Sequence, residues 1–279
     1  MRVLVTNDDG FDAPGLAVLA RSFAEAGHEV IVVAPMTEAS GAGAGIGPAH
    51  LREHGIHAEV VHPAGLDGIE VIAADALPAL IVITACLGGF GPIPDLVATG
   101  INPGRNVGRA VMHSGTVGAA LTCAPFGLLG LATSIQAGTV PSSSYEFDDG
   151  APIHFESAAT LAVGFVALLE TAPPRTVLNL NVPNLPLKDI LGIRRAPLAD
   201  TGLTFSTSVG YHQAAIEIDL HSEQPLNAQH DRRAESDDTL TELGWAVVTP
   251  LTSASEDLRP DVDNFVTAAL RSTSSLIGA

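Results

Sequence analysis

Adjacent carboxylates are the first residues in this chain that could do chemistry. Asp8 and Asp9 sit in the turn Asn7-Asp8-Asp9-Gly10, directly after the apolar run Arg2 to Thr6. Two neighbouring carboxylates cannot both lose water cheaply unless a cation neutralises them, so the pair reads as a site for a hard divalent ion. An Asp-Asp-Gly turn also serves as an ordinary helix cap, and alone it does not decide between the two. A second candidate is Ser40-Gly41-Ala42-Gly43-Ala44-Gly45-Ile46-Gly47, whose glycines let backbone approach a ligand closely. It lacks the Gly-Lys-Ser/Thr of a Walker loop and the placement of a dinucleotide fingerprint. A third is Gly100-Ile101-Asn102-Pro103-Gly104-Arg105-Asn106, leading to Ser114-Gly115-Thr116 at the start of a helical pattern. Small hydroxyl residues and free N–H groups at a helix N-terminus can receive an anion or simply cap the helix.

These segments need elements to hold them. The run 2–6 predicts a strand, and Leu16, Leu19, Ala20 and Phe23 share one helical face that stops at Gly27. The run 29–34 predicts the next buried strand, which makes the unit βαβ and the sheet parallel. The alternation continues with strand 95–99, helix 116–125, strand 129–135, helix 156–169 and strand 176–182. The fold class expected is α/β, a doubly wound, mainly parallel sheet. Such sheets bind ligands at the carboxyl ends of their strands, which places all three segments on one rim. After Pro186 the texture changes to polar alternation over 210–220, a charged stretch over 223–238 and a further strand over 245–249. The expected organisation is a core over 1–185, an extended hairpin arm with a returning strand over 186–260, and a helix (261–271) with a tail over 261–279.

Composition limits the partners. With 279 residues and 46% hydrophobic content the chain can fill a sizeable core. Its 13 basic against 31 acidic residues, a net charge of −18, repel nucleic acid and anionic membranes over most of its surface. A small anionic substrate stays possible where a metal ion and inward-pointing N–H groups reverse the local field. Cys86 and Cys123 each lie in or beside apolar runs and read as buried thiols, not as a disulfide framework. No secretory leader or membrane span is recognised, so the expectation is a soluble, cytoplasmic protein.

Several stretches resemble the SurE family of survival-protein 5′/3′-nucleotidases. They are Val3 to Gly10, Ser40-Gly41, Gly100-Ile101-Asn102-Pro103-Gly104-Arg105-Asn106 with Gly108, and Ser114-Gly115-Thr116-Val117-Gly118-Ala119-Ala120. Leu178-Asn179-Leu180-Asn181-Val182-Pro183 and Gly244 to Leu251 also look like that family's later signatures. The resemblance implies a Rossmann-like fold and a metal-dependent phosphatase acting on nucleoside monophosphates. It implies a homodimer or homotetramer built by exchange of C-terminal elements. Carried over by motif, the metal ligands are Asp8, Asp9, Ser40 and Asn102, holding one Mg²⁺ or Mn²⁺ per subunit, with Ca²⁺ also suited to such oxygen donors. Gly41, Asn102, Asn106, Ser114, Gly115 and Thr116 would contact the phosphate. As a hypothesis beyond the carried-over motifs, Asp8 takes a proton from the attacking water, with Asp9 beside it, and His113, where the family usually has Tyr, either protonates the leaving alkoxide or packs against or contacts the substrate as a neutral ring.

Departures from the family pattern point to an altered pocket. Ala39 stands before Ser40-Gly41 where the family commonly has Arg, the Gly-Thr-Pro-x-Asp-Cys turn is not recognisable over 73–78, and Thr122 replaces an expected Glu. Arg105 is either a substitute cation or a solvated surface residue. His50, His54 and His57 read as solvated, which argues against zinc. The alternatives are a specialised phosphatase for another small phosphorylated metabolite, a non-catalytic nucleotide-binding protein on the same scaffold, or, from the pattern over 15–35, the first βαβ of a nucleotide-sugar glycosyltransferase.

Overall fold

The computed structural model describes residues 1–48, 55–136, 152–200, 209–212, 215–218, 235–254, 260–262, 264 and 266–267. Its strands are β1 (Arg2–Thr6), β2 (Glu29–Pro35), β3 (Ala58–Val61), β4 (Glu70–Ala74), β5 (Leu96–Pro103), β6 (Leu129–Ile135), β7 (Val177–Val182), β8 (Ile193–Arg195), β9 (Val209–His212), β10 (Ala215–Ile218) and β11 (Ala246–Leu251). The helices are α1 (Pro14–Glu25), α2 (Pro78–Cys86), α3 (Gly115–Thr122), α4 (Phe155–Leu169) and α5 (Asp237–Glu242). Nine strands form one sheet in the order β3-β4-β2-β1-β5-β6-β7-β11-β8, and β9 pairs with β10 as a separate antiparallel hairpin. From β4 to β7 all neighbours are parallel, β3 is antiparallel to β4, and β11 is antiparallel to β7 and parallel to β8. The α/β, mainly parallel fold expected from the sequence is the one observed.

Burial of both faces explains the strand sequences. In β1, Val3 and Val5 pack with Leu16, Leu19 and Phe23 of α1 and with Ala158 and Ala162 of α4. Leu4 points the other way, into Ile81 and Val82 of α2 and Ala119 of α3. Such a strand reads as continuous Val and Leu, because neither face meets water.

From β1 the chain runs outward through β2 to β4, then returns to lay β5 on the other side of β1. That reversal opens a crevice at the carboxyl ends of β1 and β5, the place where doubly wound sheets bind ligands. Thr6 pairs with Thr99, so the segments that follow leave the sheet side by side. The register against β6 then shifts between Thr99 and Asn102, and Asn102 lies opposite Ser134.

Several elements differ from the sequence expectation. The helix expected over 116–125 ends at Thr122, and a short 3-10 turn over Ala124–Phe126 follows. Pro125 has no N–H to donate to the Leu121 carbonyl, so the α-helical ladder cannot continue through it. The strand expected over 95–99 runs on to Pro103. No element was expected over 58–86, where β3, β4 and α2 occur, nor at β8 or α5. The strand expected over 245–249 is β11, and the polar alternation over 210–220 contains the β9–β10 hairpin. Of the helix expected over 261–271, residues 261, 262, 264, 266 and 267 are described and are helical. Among the described residues no helix is long and apolar enough to cross a membrane.

Candidate metal and phosphate site

The site starts with the turn after β1. Asn7 is fully buried, its Nδ2 donates to Gly10 O at 2.9 Å, and its Oδ1 accepts from Gly10 N at 3.3 Å. Gly10 has φ of +109°, a conformation that a side chain would strain. The closed turn presents Asp8 and Asp9 at the strand end.

Asp8 is 3% exposed and docks on the N-terminus of α3. Thr116 Oγ1 donates to Asp8 Oδ1 at 2.5 Å, and the backbone N–H groups of Gly115 and Thr116 also reach the carboxylate. Burial pushes the Asp8 carboxyl above the usual carboxylate range, and these hydrogen bonds moderate the rise. The contact requires glycine at 115, because a Cβ there would lie 2.6 Å from Asp8 Oδ2 and 2.7 Å from Asp8 Cβ. Ser114 caps the helix, its Oγ accepting from Val117 N at 3.0 Å. The Thr116 hydroxyl, expected on the phosphate, is buried and committed to Asp8. Donors expected to cradle an anion are thus partly used by the protein's own carboxylate.

Asp9 is different. Its Oδ2 is buried and, among the described residues, without a hydrogen-bond partner. Burial first, then the charges of Asp8 and Glu38, push its carboxyl up to about 7. Glu38 belongs to the loop after β2 and accepts from Ser40 Oγ at 2.8 Å. That loop is tied to the first by Ala39 N donating to Asp8 O at 2.7 Å, and to the third by Gly43 N donating to His113 O at 3.1 Å. It also lies on α3 so closely that a Cβ at Gly118 would sit 2.3 Å from the Gly43 backbone. Gly41 is exposed, with φ of +79° and nothing within 4 Å of an added Cβ, and His113 is exposed on the rim.

The third loop is clamped further along the sheet. Asn102 Nδ2 donates to Gly104 O at 2.7 Å, which orients the amide so that Oδ1 is its ligand end. The Asn106 carbonyl accepts from Asn179 and Asn181 Nδ2 at 2.8 and 2.9 Å, Asn106 N donates to Asn181 Oδ1, and Asn106 Nδ2 donates to Ser134 Oγ. These bonds place Asn106 over β6 and β7. Buried Asp237, at the start of α5, accepts from Gly108 N at 2.9 Å and from Ala199 N at 2.8 Å, and its carboxyl is raised chiefly by burial.

Neither reading of Arg105 holds, since it is neither a spare cation nor merely solvated. It pairs with Asp238 at 2.9 Å and with Glu242 at 3.4 Å, both on α5. His57 is exposed, as expected, and His50 and His54 lie outside the described residues. Sequence reading missed Glu38, Asp237 and the clamping role of Asn179 and Asn181. For Glu38 the available signal was a third carboxylate two residues before Ser40.

The donor set suits a hard cation. Carboxylates from Asp8 and Asp9, the Ser40 hydroxyl and the Asn102 amide oxygen are the ligands magnesium and manganese prefer. The buried, unpartnered Asp9 Oδ2 is costly unless something positive meets it. Among the described residues no group of three or more His, Cys, Asp or Glu could hold a metal ion. A cavity of about 470 Å³ at the β3 edge and one of about 250 Å³ between α5 and the loops after β6 and β7 include none of these residues.

The chain is similar to known proteins over most of its length. The family described as Survival protein SurE matches residues 3–204. The 5′-nucleotidase SurE of Xanthomonas campestris pv. campestris (strain B100) is 40% identical over 195 residues, 69% of this chain and 67% of that protein. The 5′-nucleotidase SurE of Xanthomonas euvesicatoria pv. vesicatoria (strain 85-10) is 37% identical over the same length. The crystal structure of the SurE protein from Aquifex aeolicus superimposes with a TM-score of 0.71 over 97% of this chain and 100% of that one, at 24% identity, and so shares the fold. By the extent of these matches, the chain belongs to the SurE family.

Proposed function

We propose that this protein is a divalent-metal-dependent phosphomonoesterase that hydrolyses nucleoside monophosphates by in-line attack of water. The observation that carries the reading is the buried, partnerless Asp9 Oδ2 beside Asp8 at the crevice between β1 and β5. Membership of a family whose relatives are named 5′-nucleotidases supports the substrate class. A Mg²⁺ or Mn²⁺ held by Asp8, Asp9, Ser40 and Asn102 would supply Lewis-acid polarisation of the phosphoryl group and acidify a water. The side chains around it have distinct tasks. Thr116 and the start of α3 hold the Asp8 carboxyl in place. Asp9 would use the carboxylate oxygen that the cation leaves free to accept the proton of the attacking water, in place of Asp8, the base expected from the sequence, whose carboxylate is engaged by Thr116 and the start of α3. The exposed Gly41 leaves the backbone open to phosphoryl oxygens, and His113 beside Ser114 gives a proton to the leaving alkoxide. Positioning and charge stabilisation carry such transfers, so no strong nucleophile is needed.

Incubating the protein with a panel of nucleoside monophosphates, sugar phosphates and an aryl phosphate, with and without Mg²⁺ or Mn²⁺, tests the reading. Metal-dependent phosphate release that favours nucleotides is expected; no release above blank with any metal would sink it. A specialised phosphatase for another metabolite is the second reading, favoured by the engagement of Arg105 and by the absence of basic residues from 36–48. The same panel ranks the two. We also propose assembly through the region after Pro186, where exposed Leu191, Ile193 and Leu243 surround the open edge strand β8. A monomeric mass by light scattering would contradict it.

A further inference from the structure

We propose that Glu38 is a positioning residue for the cation site, taking the hydrogen bond of the Ser40 hydroxyl and thereby turning that oxygen's lone pairs toward Asp8 and Asp9. The proposal rests on the metal-dependent reading above and concerns a residue outside the ligand set. A serine hydroxyl has one hydrogen and rotates freely, so an unrestrained serine points its proton at a cation in part of its conformations and repels it. An acceptor that holds that hydrogen removes those conformations, as outer-shell partners do for other metal ligands. Glu38 Oε1 lies 2.8 Å from Ser40 Oγ and accepts its proton. The backbone between them is pinned by Ala39 N to Asp8 O at 2.7 Å and braced by Ala42 N to Ala39 O at 3.1 Å, so the pair is registered against the aspartate turn.

Glu38 is exposed, and an exposed polar contact contributes little to folding. Truncation should therefore change cation affinity without changing the melting temperature of the metal-free protein. The experiment is a double-mutant cycle read by Mn²⁺ titration, with calorimetry for the Kd and electron paramagnetic resonance for free Mn²⁺. Glu38→Ala should weaken Mn²⁺ about 10-fold. Glu38→Gln, whose amide oxygen can accept the same bond, should stay within about threefold of wild type. In a Ser40→Ala background, Glu38→Ala should add nothing further. Equal losses from Glu38→Ala in both backgrounds, or equal losses from Glu38→Gln and Glu38→Ala, would mean that Glu38 acts by charge alone and would overturn the proposal, as would an unchanged Kd in Glu38→Ala. If wild type binds no Mn²⁺, the metal-dependent reading fails first and takes the proposal with it; Mn²⁺ binding that Asp9→Asn abolishes and Glu38→Ala leaves intact removes the proposal alone.

Discussion

Gly115→Ala is a one-methyl perturbation whose sign is set by competing effects. Alanine raises helix propensity over glycine by up to about 1 kcal/mol, and Gly115 opens α3. Against this, the new Cβ would lie 2.6, 2.7 and 2.9 Å from Asp8 Oδ2, Cβ and Cγ, so the whole buried side chain must move. Movement breaks the charge-assisted bond from Thr116 Oγ1, and bonds to charged groups are worth about 1.5–3 kcal/mol. The expected net cost is about 1–2 kcal/mol, a drop of roughly 2–8 °C in the melting temperature for a chain of this size. Turnover should fall more, because a displacement of about 1 Å in a reacting group can cost about 100-fold. The assays are thermal denaturation of the metal-free protein and phosphate release at saturating Mn²⁺. Gly164→Ala is the control: this exposed glycine in α4 has nothing within 4 Å of an added Cβ, and alanine there should stabilise by about 0.5–1 kcal/mol with turnover unchanged. Wild-type turnover and stability in Gly115→Ala would refute the docking of Asp8 on α3.

Further expectations follow from the same contacts. Asp9 has a folded pKa raised from 3.8 to about 7, so its contribution is fully favourable below 3.8 and is lost as pH rises through about 7. Between those limits the metal-free protein should lose stability by at most about 4 kcal/mol from this group, less where solvent screens it. Asp9→Asn should flatten that slope, and wild-type Mn²⁺ affinity should climb through pH 7 as the cation displaces the proton; an unchanged slope in the variant melts refutes the assignment. Arg105→Ala should change stability by less than about 1 kcal/mol and kcat/KM by less than about threefold, because its charge is taken by Asp238 and Glu242; a large rise in KM would restore it as a substrate contact. Asp237→Asn leaves Gly108 N or Ala199 N facing an amide NH₂ and should cost about 1–3 kcal/mol in urea denaturation, with no loss expected if that carboxylate is dispensable.

Legibility in the sequence follows a physical rule. A feature is legible when the interaction that explains it closes within a few residues. The Asn7 turn closes over three residues, the Ser114 cap over three, and β1, β2, β6 and β7 show their own burial as runs of Val, Ile, Leu and Ala. α2 fails the rule in a different way: Pro78–Cys86 is apolar around almost its whole circumference and shows no 3.6-residue stripe. Thr116 is separated from Asp8 by 108 positions, and Arg105 from Glu242 by 137. Nothing in a local pattern distinguishes an anion-cradling threonine from one already donating to a carboxylate, or a free arginine from a paired one. The same reasoning says where the sequence reading of the site is most exposed to error. Chemical types carry over from sequence to fold, since Asp, Ser and Asn bring their oxygens with them wherever they fold. Roles that depend on whether a group is still free do not, and the choice between Asp8 and Asp9 as base turns on which of two adjacent, chemically identical carboxylates a distant helix has already claimed.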